Sequence, residues 1–140
     1  MKKQISVITL GIRDLHASRR FYAEGFGWEP VFENEEIIFY QMNGFVLGTF
    51  LKSSLEADMN RTGLAVPGAF ALAHNVAEQS DVTSVMKRLV EYGGQIVREA
   101  DTPTHGGFRG YIADPDDHAW EIAWNPAWKI DENGHVTFGL

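Results

Sequence analysis

Gln4-Ile5-Ser6-Val7-Ile8-Thr9-Leu10-Gly11-Ile12-Arg13-Asp14-Leu15 reads as a strand, a stop and the start of a helix. Its first seven residues are rich in β-branched side chains and end at Gly11, the pattern of a strand buried on at least one face. Asp14 supplies an N-cap, Leu15, Ser18, Phe21 and Tyr22 follow near helical spacing, and Gly25 and Gly27 close the helix after about three turns. Three strand-like runs come next, Pro30–Glu33, Ile37–Met42 and Phe45–Leu51, the last two separated by the hairpin signal Asn43-Gly44. The local order is β-α-β-β-β.

Further along, residues 52–68 are mostly polar, carry the breakers Arg61-Thr62-Gly63 and Pro67-Gly68, and read as a linker. The same order then recurs. Ala69–Val76 is a strand, Asp81 caps a helix carrying Val82, Val85, Met86 and Leu89, and Gly93-Gly94 ends it. Gln95–Arg98, Gly110–Ala113 and Ala119–Trp124 are strands, with Asp114-Pro115-Asp116-Asp117 as the last turn. Asp14 and Asp81, Glu24 and Glu91, and Gly27 and Gly94 are each 67 positions apart.

A βαβββ unit has two sheet faces and a single helix to cover them, so two copies have reason to associate. The expectation is an α+β domain over 1–125, with one module at about 4–51 and another at about 69–125. Their strands are expected to pair into a curled, mixed eight-stranded sheet with helices outside and a concave hollow for a small ligand inside. Residues 126–140 carry turn chemistry at Glu132-Asn133-Gly134 and read as an extra hairpin, packed on the domain or on a partner chain.

Composition narrows the function. The chain has 140 residues, 44% hydrophobic and 22% charged, ordinary values for one globular domain. A net charge of −7 with scattered Lys and Arg excludes a phosphate backbone as partner. With no cysteine, thiolate chemistry and disulfides are excluded, and any metal must use His and carboxylate. No run approaches the ~20 apolar residues of a membrane span, and the N-terminal apolar stretch is too short for a signal-peptide core, so the expected location is the cytoplasm. No phosphate-binding glycine loop, dinucleotide fingerprint or Ser-His-Asp spacing is present.

Thr9-Leu10-Gly11-Ile12-Arg13-Asp14-Leu15 followed by Phe21-Tyr22 and Gly27-Trp28, then Gly93-Gly94, Asp114-Pro115-Asp116 and Trp120-Glu121, resembles the glyoxalase, bleomycin-resistance and extradiol-dioxygenase group, the vicinal oxygen chelate superfamily. The resemblance covers about residues 4–125 and implies the duplicated fold. It implies no single activity, because this fold hosts isomerases, dioxygenases, epimerases, antibiotic-modifying enzymes and non-catalytic drug binders. Metal-dependent members hold an ion with one residue from each module's first strand and one from each module's last strand. Carried over, these positions fall on Val7, on Gly48, on Glu121, and on either His74 or Phe70.

Strand alternation puts Phe70, Leu72 and His74 on one face, which the reading gives to the same hollow as Glu121. Glu121 and His74 are then the catalytic candidates, Glu121 as a general base, and the pair is also the two-ligand set for a weakly bound divalent metal. The expectation is nonetheless that no metal is required. Val7, Thr9, Phe39, Phe50, Phe70 and Tyr111 are the candidate hollow lining, with Phe108 to stack on a planar ligand and Arg109 or His105 to meet an anionic group. Trp120, Ile122 and Trp124, alternating with Glu121, go under the helices. Bland alternatives stand beside these: Glu121 hydrogen-bonded to Thr9 or Tyr111, His74 satisfied by a neighbouring strand, and Gly106-Gly107 as a simple turn.

The leading functional expectation is a metal-independent binder of a small organic molecule, as in the bleomycin-resistance branch. The alternative is a glyoxalase-I-like lyase, or a related isomerase or dioxygenase, using Glu121 as base or metal ligand. A structural protein that lost both activities is the third. The resemblance also implies a homodimer, for which Trp128 and Phe138 offer contacts.

Overall fold

The computed structural model describes residues 1–65 and 67–140. The first module runs β1 (Val7–Ile12), α1 (Leu15–Arg19), β2 (Pro30–Glu33), β3 (Ile37–Gln41) and β4 (Val46–Leu51). The second runs β5 (Leu72–Val76), α3 (Gln79–Glu91), β6 (Gln95–Asp101), β7 (Phe108–Ala113) and β8 (Ala119–Trp124). Each module builds one mixed four-stranded sheet, β1-β4-β3-β2 and β5-β8-β7-β6, in which the first strand runs parallel to the last. This is the expected α+β duplication, with one difference. Among the described residues no ladder joins the two sheets, so the eight strands do not close into a single sheet. Among the described residues no helix is long and apolar enough to cross a membrane.

Alternation sorts each strand into a core face and an open face. In the first sheet Leu10, Ile12, Ile38, Tyr40 and Leu47 turn inward; in the second, Ile112, Trp120 and Ile122 do. All of these but Ile12 meet Phe21, Tyr22, Val82, Met86 and Leu89 in one cluster common to both modules. Two sheets too small to bury their own apolar faces thus share one core.

Local chemistry departs from the sequence reading in four places. Asp14 caps α1, accepting from the His16 amide at 2.9 Å, but the α-helix stops at Arg19 and continues as a π-helical turn over Arg20–Gly25. Asp81 is not a cap: α3 begins at Gln79, and Asp81 sits in its first turn, where a negative charge complements the helix dipole. The fifth strand starts at Leu72 rather than Ala69. The linker is also partly ordered as a helix, α2 (Lys52–Met59), whose Leu55 and Lys52 lie against Gly11 on the open side of β1. After the second module, β9 (Lys129–Ile130) pairs antiparallel with β10 (Val136–Thr137) in a short hairpin.

Candidate functional site

The modules are tied by a buried polar seam. Asp114, 2% exposed, accepts hydrogen bonds from the Tyr22 hydroxyl at 2.6 Å and from the amides of Asp116 and His118 at 2.8 Å each. The Tyr22 oxygen in turn accepts from Trp120 Nε1 at 3.0 Å. His118 Nε2 donates to the Gly11 carbonyl at 2.8 Å, and Arg13 reaches Asp116 and the Pro115 carbonyl. Burial pushes the Asp114 carboxyl above the usual carboxylate range, with the His118 and Tyr22 contacts opposing that shift. Burial beside Asp114 also pushes the Tyr22 hydroxyl well up. The Asp-Pro-Asp turn, Tyr22 and Trp120, quoted above only as marks of a resemblance, are therefore the joint between the halves. His118 bonds locally through its amide, but its ring spans to the opposite module.

The two open faces differ sharply in chemistry. Register places Val7, Thr9, Gly11, Phe32, Ile37, Phe39, Gln41, Val46, Gly48 and Phe50 on the open face of the first sheet, which is mostly apolar. On the second sheet Tyr111 and Ala73 flank Glu121, and Arg109 is its diagonal neighbour. Asp101 is ion-paired with Arg109 and, at 2.8 Å, with Arg98, which holds the Asp101 carboxyl below its ordinary range. Glu121 enters none of the side-chain hydrogen bonds or ion pairs among the described residues. The bland reading of a Glu121 bond to Thr9 or Tyr111 is thus not met.

Several candidates take other positions. His74 does not share a face with Glu121. Its ladder partner is Ile122, whereas Ala73 is opposite Glu121, so β5 sits one residue out of the expected register and turns His74 to the core side. There the His74 ring stands across those of Phe26 and Trp28, at 5.5 and 6.2 Å, and burial lowers its pKa. It has no side-chain hydrogen bond among the described residues. Phe108, opposite Trp124, likewise packs on the core rather than facing a ligand. Phe70 precedes β5 and is 53% exposed, its ring 6.5 Å from that of His118. His105 lies exposed in the loop after β6, where Gly106 and Gly107 have φ of 95° and 80° and the Gly106 amide donates to Pro103.

The residues present do not fit a divalent metal. Neither side of Glu121 on its own sheet offers a second donor of the carboxylate or imidazole type, and no group of three or more His, Asp or Glu is clustered among the described residues. At the corresponding position of the first module the Phe39 ring lies over Gly48, about 3 Å from where a Cβ would stand, so an aromatic ring fills the space a carboxylate would need.

Two cavities lie elsewhere. One of about 800 Å³ runs between Thr9 of β1, Leu55 and Met59 of α2, Phe70 and the turn at Asp116–His118. The other, about 640 Å³, lies between Ile8 and Leu47 of the first module and Leu72 and His74 of the second, under the C-terminal hairpin. The sequence reading missed this second cavity because it depends on which face of β5 turns inward.

The comparisons with known proteins agree with this architecture. A glyoxalase-related enzyme from Fulvimarina pelagi is 59% identical, with a TM-score of 0.97 over 99% of this chain and 100% of that one. A lactoylglutathione lyase from Agrobacterium tumefaciens is 22% identical, with a TM-score of 0.71 over 94% and 100%. A glyoxalase/bleomycin resistance protein/dioxygenase family enzyme from Burkholderia phytofirmans is 14% identical, with a TM-score of 0.73 over 85% and 96%. The last two share the fold alone. Comparison with curated proteins returns no match. With the family model matching residues 4–122 on a duplicated βαβββ frame, the chain belongs to the Glyoxalase/Bleomycin resistance protein/Dioxygenase superfamily.

Proposed function

We propose that the protein binds a small organic molecule at the open face around Glu121, without a divalent metal, and that a second copy of the chain completes the site with its apolar open face. The observation that carries this reading is the asymmetry of the faces. One presents Phe39 and Phe50 among mostly apolar neighbours, with Lys52 of α2 lying over Gly11 at its edge; the other presents Glu121, which enters no side-chain hydrogen bond or ion pair among the described residues, with Tyr111 and Arg109 alongside. A ligand held between them meets aromatic surface on one side and directed polar groups on the other, the usual composition of a small-molecule site. Val7 and Phe32, 49% and 50% exposed in the single chain, are the surface such an arrangement covers.

A thermal-shift screen with cationic antibiotics and aromatic metabolites tests the ligand site. A stabilising ligand is expected, unaffected by EDTA, and Glu121→Gln is expected to weaken it about tenfold or more, the effect of one charge-assisted hydrogen bond. Binding that requires added metal overturns the reading. For the assembly, light scattering is expected to give twice the chain mass, and Val7→Lys combined with Phe32→Glu is expected to shift it to the monomer. A wild-type monomer at micromolar concentration overturns the shared site.

A second reading is favoured by the free Glu121 carboxylate and by the 59% identical relative described as a glyoxalase-related enzyme. In it Glu121 abstracts a proton from the bound molecule. Turnover of the methylglyoxal–glutathione hemithioacetal, reduced roughly 10²- to 10⁴-fold by Glu121→Gln, is the result that selects it.

A further inference from the structure

The cavity of about 640 Å³ lies on the opposite side of β8 from Glu121 and is bordered by a segment outside the family match, which ends at residue 122. Its size is that of a small-molecule pocket. The chain carries 12 basic and 19 acidic residues, yet among the described residues no charged side chain lines this cavity. Its lining is Trp28 and Trp120, aliphatic side chains from both modules, and a few neutral polar groups.

The ring surfaces are fixed before any ligand arrives. Trp28 is stacked on Phe26 at 4.1 Å and 14°, and Trp120 stands 5.6 Å from Trp28 with its Nε1 already committed to Tyr22. Among the polar groups, the Gln41 amide nitrogen donates to the Met42 and Phe45 carbonyls, and that of Asn43 donates to Gly134 at 2.8 Å. His74, which β5 turns to the cavity side, and Asn133 of the hairpin are left with no side-chain hydrogen bond among the described residues. Burial lowers the His74 pKa, which keeps the ring neutral at neutral pH. The roof is a hairpin of two-residue strands, contributing Ile130 and Val136 and pinned to the β3–β4 turn through Asn43.

We propose that this cavity is a ligand site separate from the Glu121 face, taking an uncharged planar aromatic molecule with a hydrogen-bonding substituent directed at His74. A charged ligand would lose its hydration with no counter-ion in the lining, whereas a neutral ring meets fixed aromatic and aliphatic surface.

Calorimetric titration with three probes of one ring system tests this: 2-naphthol, 2-naphthoate and 2-naphthylmethylammonium. The neutral probe is expected to bind at least tenfold more tightly than either ion. Leu72→Trp, which fills the cavity from β5, is expected to abolish naphthol binding. Val136→Trp fills it from the hairpin, outside both modules, and keeps the test valid if the first variant folds poorly. His74→Phe retains the ring, removes its nitrogens and is expected to weaken naphthol several-fold. Glu121→Gln is expected to leave naphthol binding unchanged, so this site and the Glu121 site fail independently. Equal affinity for the three probes, no saturable naphthol binding, insensitivity to the cavity-filling variants, or loss of binding in Glu121→Gln each overturns the proposal.

Discussion

Asp114→Ala is expected to lower stability by about 3–5 kcal/mol, roughly 10–20 °C in Tm for a chain of this size, because one deletion strands three donors. The Tyr22 hydroxyl and the amides of Asp116 and His118 all end on this carboxylate, and Tyr22 is fully buried. Trp120 is drawn in through its bond to the same hydroxyl, so the loss spans both modules rather than one turn. Asp114→Asn separates shape from charge. It keeps an acceptor for the two amides but removes ionisation. In the wild type the folded-state pKa of this carboxyl is raised above its unfolded value, so its ionisation opposes folding. The stability of wild type relative to Asp114→Asn is therefore greatest below the ordinary aspartate value of ~3.9 and declines as pH rises from there through the folded value. Thermal melts of both proteins at about pH 4 and about pH 7 measure this; a wild type that gains stability relative to Asp114→Asn toward pH 7 contradicts it.

Gly94→Ala is expected to cost about 2–3 kcal/mol, near the upper end of single-methyl overpacking. A Cβ there would stand 2.9 Å from Ile112 Cγ2, from Phe21 Cε2 and from the Leu89 carbonyl oxygen. The first two belong to side chains with no exposed surface to yield into. The third is the carbonyl that accepts the Gly94 amide at 2.8 Å and finishes α3, so it moves only by opening the helix end. Gly27, the residue paired with Gly94 by the 67-residue offset, has nothing within 4 Å of such a Cβ and a φ of +77°. Its replacement by Ala strains the backbone without a collision and is expected to cost less. Urea unfolding of the two variants compares the mechanisms directly, and equal losses would contradict the crowding argument.

That comparison also marks the limit of the repeat as a guide. Periodicity and turn residues identified all eight module strands and both module helices, because burial of one sheet face writes alternation directly into the chain. The same alternation correctly separated Trp120 and Ile122 from Glu121. It failed at β5, where Leu72-Ala73-His74-Asn75 has no strong contrast between odd and even positions, and a one-residue slip moved His74 from the open face to the core side. Phe108 failed for a related reason: a loop aromatic next to glycines looks like a ligand clamp, yet its place opposite Trp124 fixes it on the core. The linker helix escaped notice because none of its residues is buried, so it leaves little periodic trace.

The chain by itself determined the duplicated βαβββ order, the face carried by Glu121 and the absence of thiol chemistry, since each follows from local pattern or residue inventory. Only the tertiary structure decided that Asp114, Tyr22 and Trp120 join the modules, that Phe39 covers Gly48, and that His74 borders an uncharged cavity under the hairpin. Those facts depend on which side chains from positions far apart in sequence meet, and that is set by strand register and by the packing of two sheets on one core.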